Sequence, residues 1–588
     1  MNADRAEKLM RSVGVAVVTG TLVLAQVPVA AIAEEANGGQ APQAQDGGTP
    51  PEKPEGDAGG EGDMGEEPPG GFGGMDDEAP DGQPGGGAGG AGGANTMAFD
   101  YSGSYSGTVS ADGEVVYKDT GSFEATETDV NAALAQNGGA LTLDGVTLTK
   151  SGDDTNGDNC NFYGLNSILL AVGEASSVVI EDSQLSATSE GSNGIFATDN
   201  ATVLAHNVTI STTAGNSRGL DATYGGTILA GSVDISTKGD HCAGVATDRG
   251  GGAISLDSGS ISTEGSGSPI LYSTGNIQVS NITGKATGSQ LVGMEGLNTI
   301  LINNSTLEST QTDKTASDPV ANGVIIYQST SGDAEAATGE TATFQAVDST
   351  LKSAIQSGSM FYLTNTTADV VLKNTTLDFD SSKANLLYAA GNDANSWGSA
   401  GKNGATVKFT GIEQQLKGNV VADTISSIDL HLTSNTTWTG AASIEENSAG
   451  STSETPLTVN VGATSTWVVT ANSTVSALNI ASGGKVVDAD GKTVTIVAAG
   501  QTVVSGDSNI TVTVNGTYST TYDEGSAGSV STDTIDRTAY TAAFGEDADQ
   551  TASTAVDNTS SESAASESAE QTNWWDAIVN WFKGLLGL

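Results

Sequence analysis

The sequence predicts an all-β chain whose body is a right-handed parallel β-helix, a solenoid built from short stacked strands. Two observations predict it. One is an aliphatic anchor that recurs every 25 or 26 residues. The other is a composition of turn and strand formers: among 588 residues there are 78 glycines and 12 prolines, and aromatics make up only 5%. Solenoids lengthen by adding turns rather than by enlarging a sphere, so the length alone does not force several globular domains.

The anchors are read from Asp182-Ser-Gln-Leu185, Asn207-Val-Thr-Ile210, Ser232-Val-Asp-Ile235 and Ser258-Gly-Ser-Ile261, at steps of 25, 25 and 26 residues. Further copies end at Leu307, Leu351 and Leu377. A second piece recurs between them: Gly194-Ile-Phe-Ala-Thr, Gly219-Leu-Asp-Ala-Thr and Gly244-Val-Ala-Thr. One coil cannot bury its inward side chains alone, whereas stacked coils share one aliphatic column. Inward anchors then alternate with outward Ser and Thr, as the two-residue period of a strand requires. The Asp or Asn three residues before several anchors suits a corner, because its short side chain tolerates a left-handed backbone.

The body is assigned to residues 97–540 and includes terminal cap strands. It opens with short strands at 101–109, 114–118 and 140–149, and looser strands over 451–518 form the last coils. Two polar excursions, 311–339 and 391–404, interrupt the coils, and excursions on solenoids are where binding residues concentrate. At 25 residues per coil this makes roughly 15 coils and about 70 Å.

The flanks have other characters. Residues 1–33 read as a signal peptide, with Arg5, Lys8 and Arg11 before an apolar run and the small-x-small site Ala31-Ile32-Ala33 after it. Residues 34–96 are acidic and rich in Gly and Pro, and cannot bury an apolar core. Residues 541–572 form a Ser-, Thr-, Ala- and Glu-rich linker. Residues 573–588 read as an amphipathic helix. Trp574, Trp575, Ile578, Trp581, Phe582 and Leu585 lie on its apolar face, a candidate for anchoring at a membrane interface or docking on a partner or the solenoid end.

The net charge of −50, from 21 basic and 71 acidic residues, excludes nucleic acid as a partner. Carboxylates at this density suit weak binding of calcium, the one cofactor the sequence admits. Asp154, Asn156 and Asp158 place oxygen ligands at alternate positions without the rest of a calcium loop. Cys160 and Cys242 lie about three coils apart, too far to pair without a loop folding back, and read as buried thiols.

Residues 150–310 resemble a family of large secreted β-helix proteins of gut and anaerobic microbes, with the pectate-lyase-like fold, described as adhesin-like or carbohydrate-binding. The pieces that carry the resemblance are Lys150-Ser-Gly-Asp-Asp154, Phe162-Tyr-Gly-Leu-Asn166, Thr247-Asp-Arg-Gly-Gly-Gly252, Gly267-Ser-Pro-Ile-Leu-Tyr-Ser273 and the leader segment Gly70-Gly-Phe-Gly-Gly-Met75. The resemblance implies fold and location more than activity, because this fold hosts lyases, hydrolases and binding modules alike.

No catalytic set converges in the sequence. The thin candidates are Asp248 and Arg249, with Arg218 on the preceding coil and Asp221 and Asp240 nearby. The simpler reading of Asp248–Arg249 is an exposed ion pair at a glycine-rich corner. Three functions remain: an exported adhesin-like protein that binds an extracellular glycan or surface protein without catalysis, a lyase or hydrolase acting on acidic glycans, and a structural surface-layer component. All three place the chain outside the cell or at its surface, and the sequence leaves its oligomeric state open.

Overall fold

The computed structural model describes residues 98–329, 334, 341–392, 395 and 397–545. The signal peptide, the linker at 34–96 and the amphipathic segment at 573–588 lie outside the described residues.

The body is a right-handed parallel β-helix. A first sheet of 13 strands runs from Gly107–Asp112 to Ala442–Glu445, each strand hydrogen-bonded in parallel to its counterpart one coil away. The other two faces are shared by longer strands such as Thr202–Thr212, Thr227–Thr237 and Ala253–Thr263. Each of these bends at one left-handed residue, Asn207, Ser232 or Ser258, with φ of 52°, 54° and 61°. Asp182, Asn304, Asp348 and Asn374 hold the same conformation three residues before their anchors. Their side chains link neighbouring coils: Asn207 Nδ2 donates to Asp182 Oδ1 at 2.6 Å, and Asn374 Nδ2 to Asp348 Oδ1 at 2.6 Å. The predicted corner is therefore the bend between two faces.

The anchors stack in register. Leu185 pairs with Ile210, Ile210 with Ile235 and Ile235 with Ile261, all buried in one core. The recurring glycines sit opposite them, where a Cβ on Gly219 would lie 2.4 Å from Ile235 Cγ2 and 2.4 Å from the Gly244 carbonyl oxygen. Glycine is required there because the coil is only one side chain wide. Beyond Phe344 the interior turns aromatic, with Trp438 and Trp467 stacked at 4.8 Å and each indole N–H bonded to a carbonyl one coil earlier.

The residues after each anchor are not uniformly outward. Thr212, Thr237 and Thr263 are buried and donate to the carbonyls of Ser217, Cys242 and Ser268 at 2.6 Å, closing the next turn. Alternation holds, but the inward Thr finds an oxygen partner rather than solvent. Both cysteines are free and buried. Cys242 stands in a polar ladder: the Ser192 N–H donates to Ser217 Oγ, the Ser217 N–H to Cys242 Sγ at 3.0 Å, and the Cys242 N–H to Ser268 Oγ. The thiol does a hydroxyl's work there, beyond filling space.

Three expectations need correction, and one short helix is new. Residues 101–106 form no strand and lie instead against the outer face of the first sheet, while the first strands are Gly107–Asp112 and Val115–Ala125. The excursion at 311–339 is divided by a fully buried strand, Asn322–Tyr327, because its alternate residues Val324 and Ile326 complete the core column. Residues 157–163 form a short helix, α1 (Gly157–Tyr163). The solenoid strands end at Ser519, and residues 541–545 belong to no linker: they complete a second helix, α2 (Thr538–Phe544), at the end of a segment that returns along the outside of the coils.

Candidate functional site

The outer face of the first sheet collects the chemistry. Helix α1 lies across it, and its first turn takes up one of the residues read as calcium ligands. Asn156 is the N-cap, and its side chain accepts from the Asn159 N–H at 3.1 Å, satisfying one of the helix's unpaired donors. Beside Asp154, Asp153 accepts from the Glu190 N–H. Among the described residues no group of three or more His, Cys, Asp or Glu side chains is placed to hold a metal ion.

Gly164, with φ of 74°, ends α1 against Leu170 and Phe196. The helix carbonyls meet the sheet through Asn193 Nδ2 to Cys160 O at 3.1 Å and Thr223 Oγ1 to Phe162 O at 2.8 Å. Under this helix lies Arg218. Its guanidinium donates to Asn161 Oδ1 at 2.8 Å and to Asp248 Oδ2 at 2.9 Å, and stands 3.5 Å from Asp221. The side chains of Arg218, Asp221 and Asp248 are only 8%, 0% and 5% exposed.

An ion pair at this corner is buried and joins neighbouring coils, Arg218 to Asp248. The Arg249 N–H donates to Asp248 Oδ1 at 3.0 Å, and its guanidinium lies over the Phe162 ring, 3.7 Å from the centroid. Burial drives the Asp221 carboxyl well above the usual range, against the pull of Arg218 and of the Ala222 N–H. Burial also works against the Arg218 charge, but the carboxylates beside it hold it protonated. Arg218 thus stands between two buried carboxylates, hydrogen-bonded to Asp248 and 3.5 Å from Asp221. Asp240 joins a different contact, accepting from the Ser266 N–H at 2.7 Å.

Outside this sealed trio lies an aromatic cluster. Tyr163 and Tyr224 stack at 5.5 Å and 3°, Tyr101 stacks on Tyr163 at 5.2 Å, and Phe99 meets Tyr163 and Tyr224 edge-on at 5.5 Å. Tyr101, Tyr163 and Phe99 are half-exposed, as is Arg249. Asp100 accepts from the Tyr163 hydroxyl. Burial, then Asp100 and Tyr224, holds that phenol above its ordinary range, so it stays a neutral donor.

Farther along the same face a second group was not foreseen. Tyr272 donates to Glu295 at 3.0 Å, and Tyr327 stacks on Trp397 at 4.6 Å beneath the excursion at 391–404. Asp318, fully buried, is pushed up to about 7 by burial. A signal did exist in the sequence: Leu271-Tyr272, Ile326-Tyr327, Phe361-Tyr362 and Leu387-Tyr388 repeat an apolar–Tyr step, which places the ring on the outer face of four first-sheet strands.

Compared with known protein families and with curated proteins, the chain matches none. Among solved structures, a chain of the cryo-EM structure of the Vag8–C1 inhibitor complex is similar over 70% of this chain and 99% of its own, at 11% identity and a TM-score of 0.32. A likeness that remote carries no functional argument, and the strand pairing alone assigns the fold.

Proposed function

We propose that this chain is an exported, adhesin-like surface protein that binds an extracellular glycan or surface protein without catalysis, through the half-exposed rings beside α1. The observation that carries this reading is the cluster of Tyr101, Tyr163, Tyr224 and Phe99 with Arg249 at its rim. Clustered rings offer apolar edges and hydroxyls side by side, as recognition of a sugar or of a protein hot spot requires. An arginine suits a partner carrying carboxylates on a surface otherwise dominated by acid.

The alternative, a lyase or hydrolase acting on acidic glycans, would draw on Arg218, Asp248 and Arg249. The first two are sealed beneath α1 and joined to each other, which a polymer substrate cannot reach. The surface-layer reading draws support from no particular residue. The segment at 573–588 is the proposed anchor, with Trp574, Trp575 and Trp581 at headgroup depth.

The test is a glycan array and cell-binding assay with the mature protein. Binding that falls at least tenfold in Tyr163→Ala and in Arg249→Ala, with an unchanged circular dichroism spectrum, is expected. No binding to any glycan, matrix protein or cell would sink the proposal. Unsaturated or reducing sugar products released from acidic glycans with calcium would move the assignment to the lyase or hydrolase.

A further inference from the structure

Past Ser519 the chain turns back and runs along the outer side of the second sheet, the face that the longer strands form before their bends at Asn207, Ser232 and Ser258. Leu204, Ser255, Gln278, Gln345, Thr410 and His431 belong to a single outward column there, one residue per coil. The returning strap meets that column at regular intervals. Tyr522 hydroxyl bonds His431 Nδ1 at 2.8 Å, the Gly528 N–H donates to Thr410 Oγ1 at 2.9 Å, and the Ser531 N–H donates to Gln345 Oε1 at 2.7 Å. The amide of Gln278 reads the strap twice, donating to Asp533 O and accepting from the Ile535 N–H.

Arg537 is sunk between coils. It donates to Ser255 O at 3.0 Å and Ala230 O at 3.2 Å, with Tyr540 stacked over its guanidinium. Tyr540 and Ala543 then close on Val179, Leu204 and Leu229. Two glycines fit the strap to its track. A Cβ on Gly231 would lie 2.0 Å from the Tyr540 hydroxyl, and one on Gly528 would lie 2.9 Å from Thr410 Oγ1.

These contacts are sockets, formed by side chains on backbone and backbone on side chains. None of them is a strand added to the sheet, and none needs the covalent link at 520–521. We propose that the outer column of the second sheet is a peptide-docking groove that takes residues 522–544 of a second copy of this chain as well as its own. The groove reads spacing: a glycine at 528, then arginine at 537, tyrosine at 540 and phenylalanine at 544. Every copy carries both halves, so a displaced strap finds an equivalent groove on its neighbour, and exchange of an identical element is a low-cost route to association.

The experiment uses the full-length protein with a site-specific protease sequence inserted after Thr520. After cleavage the strap fragment is expected to co-elute with the solenoid at micromolar concentration. Mixing cut protein with an isotopically heavy cut batch is expected to yield mixed heavy–light pairs by native mass spectrometry. Arg537→Ala on the strap and Gly231→Ala in the groove should each speed fragment loss at least tenfold, while the solenoid keeps its circular dichroism spectrum. Loss of the unmutated fragment on cleavage would overturn the groove. Retention without any exchange over days would overturn the second copy as its occupant.

Discussion

His206 Nδ1 and the Tyr540 hydroxyl lie 2.7 Å apart across 334 residues of sequence. The Phe544 ring stacks on the same imidazole at 5.2 Å. One histidine thus receives both the hydroxyl and the ring that end the strap, and burial lowers its pKa, with Asp182 opposing. A histidine depressed in the docked state contributes stability above its ordinary value of 6.5, and loses it as pH falls through the folded value. Hydrogen exchange at Ser531 and Ile535, corrected for intrinsic rates, should therefore accelerate between pH 7.5 and about 5.5. His206→Gln should abolish that acceleration, and an unchanged profile would refute the linkage.

Glu181, the register neighbour of His206, behaves in the opposite sense. Burial, then Asp144 and Asp182, pushes it up to about 7 from 4.5. A carboxyl raised in the fold costs stability above the folded value and costs nothing below the unfolded one. Glu181→Gln should raise the melting temperature at pH 8 by about 1–2 °C and leave it unchanged at pH 4. Equal effects at both values would count against the assignment.

Arg218→Ala should be among the most damaging single changes. It strands Asp248 as an uncompensated buried charge, a loss of about 3–5 kcal/mol. Arg218→Lys should recover little, because a single ammonium cannot bond Asn161 and Asp248 with two nitrogens of a planar fork. Adding Asp248→Asn to Arg218→Ala should restore part of the loss in chemical denaturation.

Cys242→Ser should be nearly neutral, since serine holds the equivalent rung at Ser217 and Ser268. Cys242→Val should cost about 1–3 kcal/mol by leaving the Ser217 N–H unsatisfied. Gly219→Ala should cost about 1–3 kcal/mol by overpacking against Ile235. Thermal denaturation of the three variants separates these outcomes.

The coil register was legible because it is local. Leu185, Ile210, Ile235 and Ile261 repeat at a fixed interval, and the corner residues announce themselves by size and polarity. Helix α1 spans only seven residues, too short for a 3.6-residue period to emerge from a strand-rich background. The strap was invisible for another reason. Its partners named above lie 91 to 334 positions away, from His431–Tyr522 to His206–Tyr540, and no repeat marks them. The Arg218–Asp248 bond was harder to read, because its members stand 30 positions apart on neighbouring coils and only the register of the solenoid brings them together.

The route of the strap also fixes how the molecule meets force. Phe99 touches Tyr224 and Phe544 touches His206, so the two segments that lie outside the solenoid meet the same few coils. A load drawn between those two points is met first by those coils, and reaches the coils from Gln345 onward only as the strap peels back. The strap itself would give way from Phe544 inward, first the ring on His206, then Arg537, then Gln278, one socket at a time like a zip. Peeling of this kind yields at low force and re-forms when tension drops, while the stacked coils beneath stay intact.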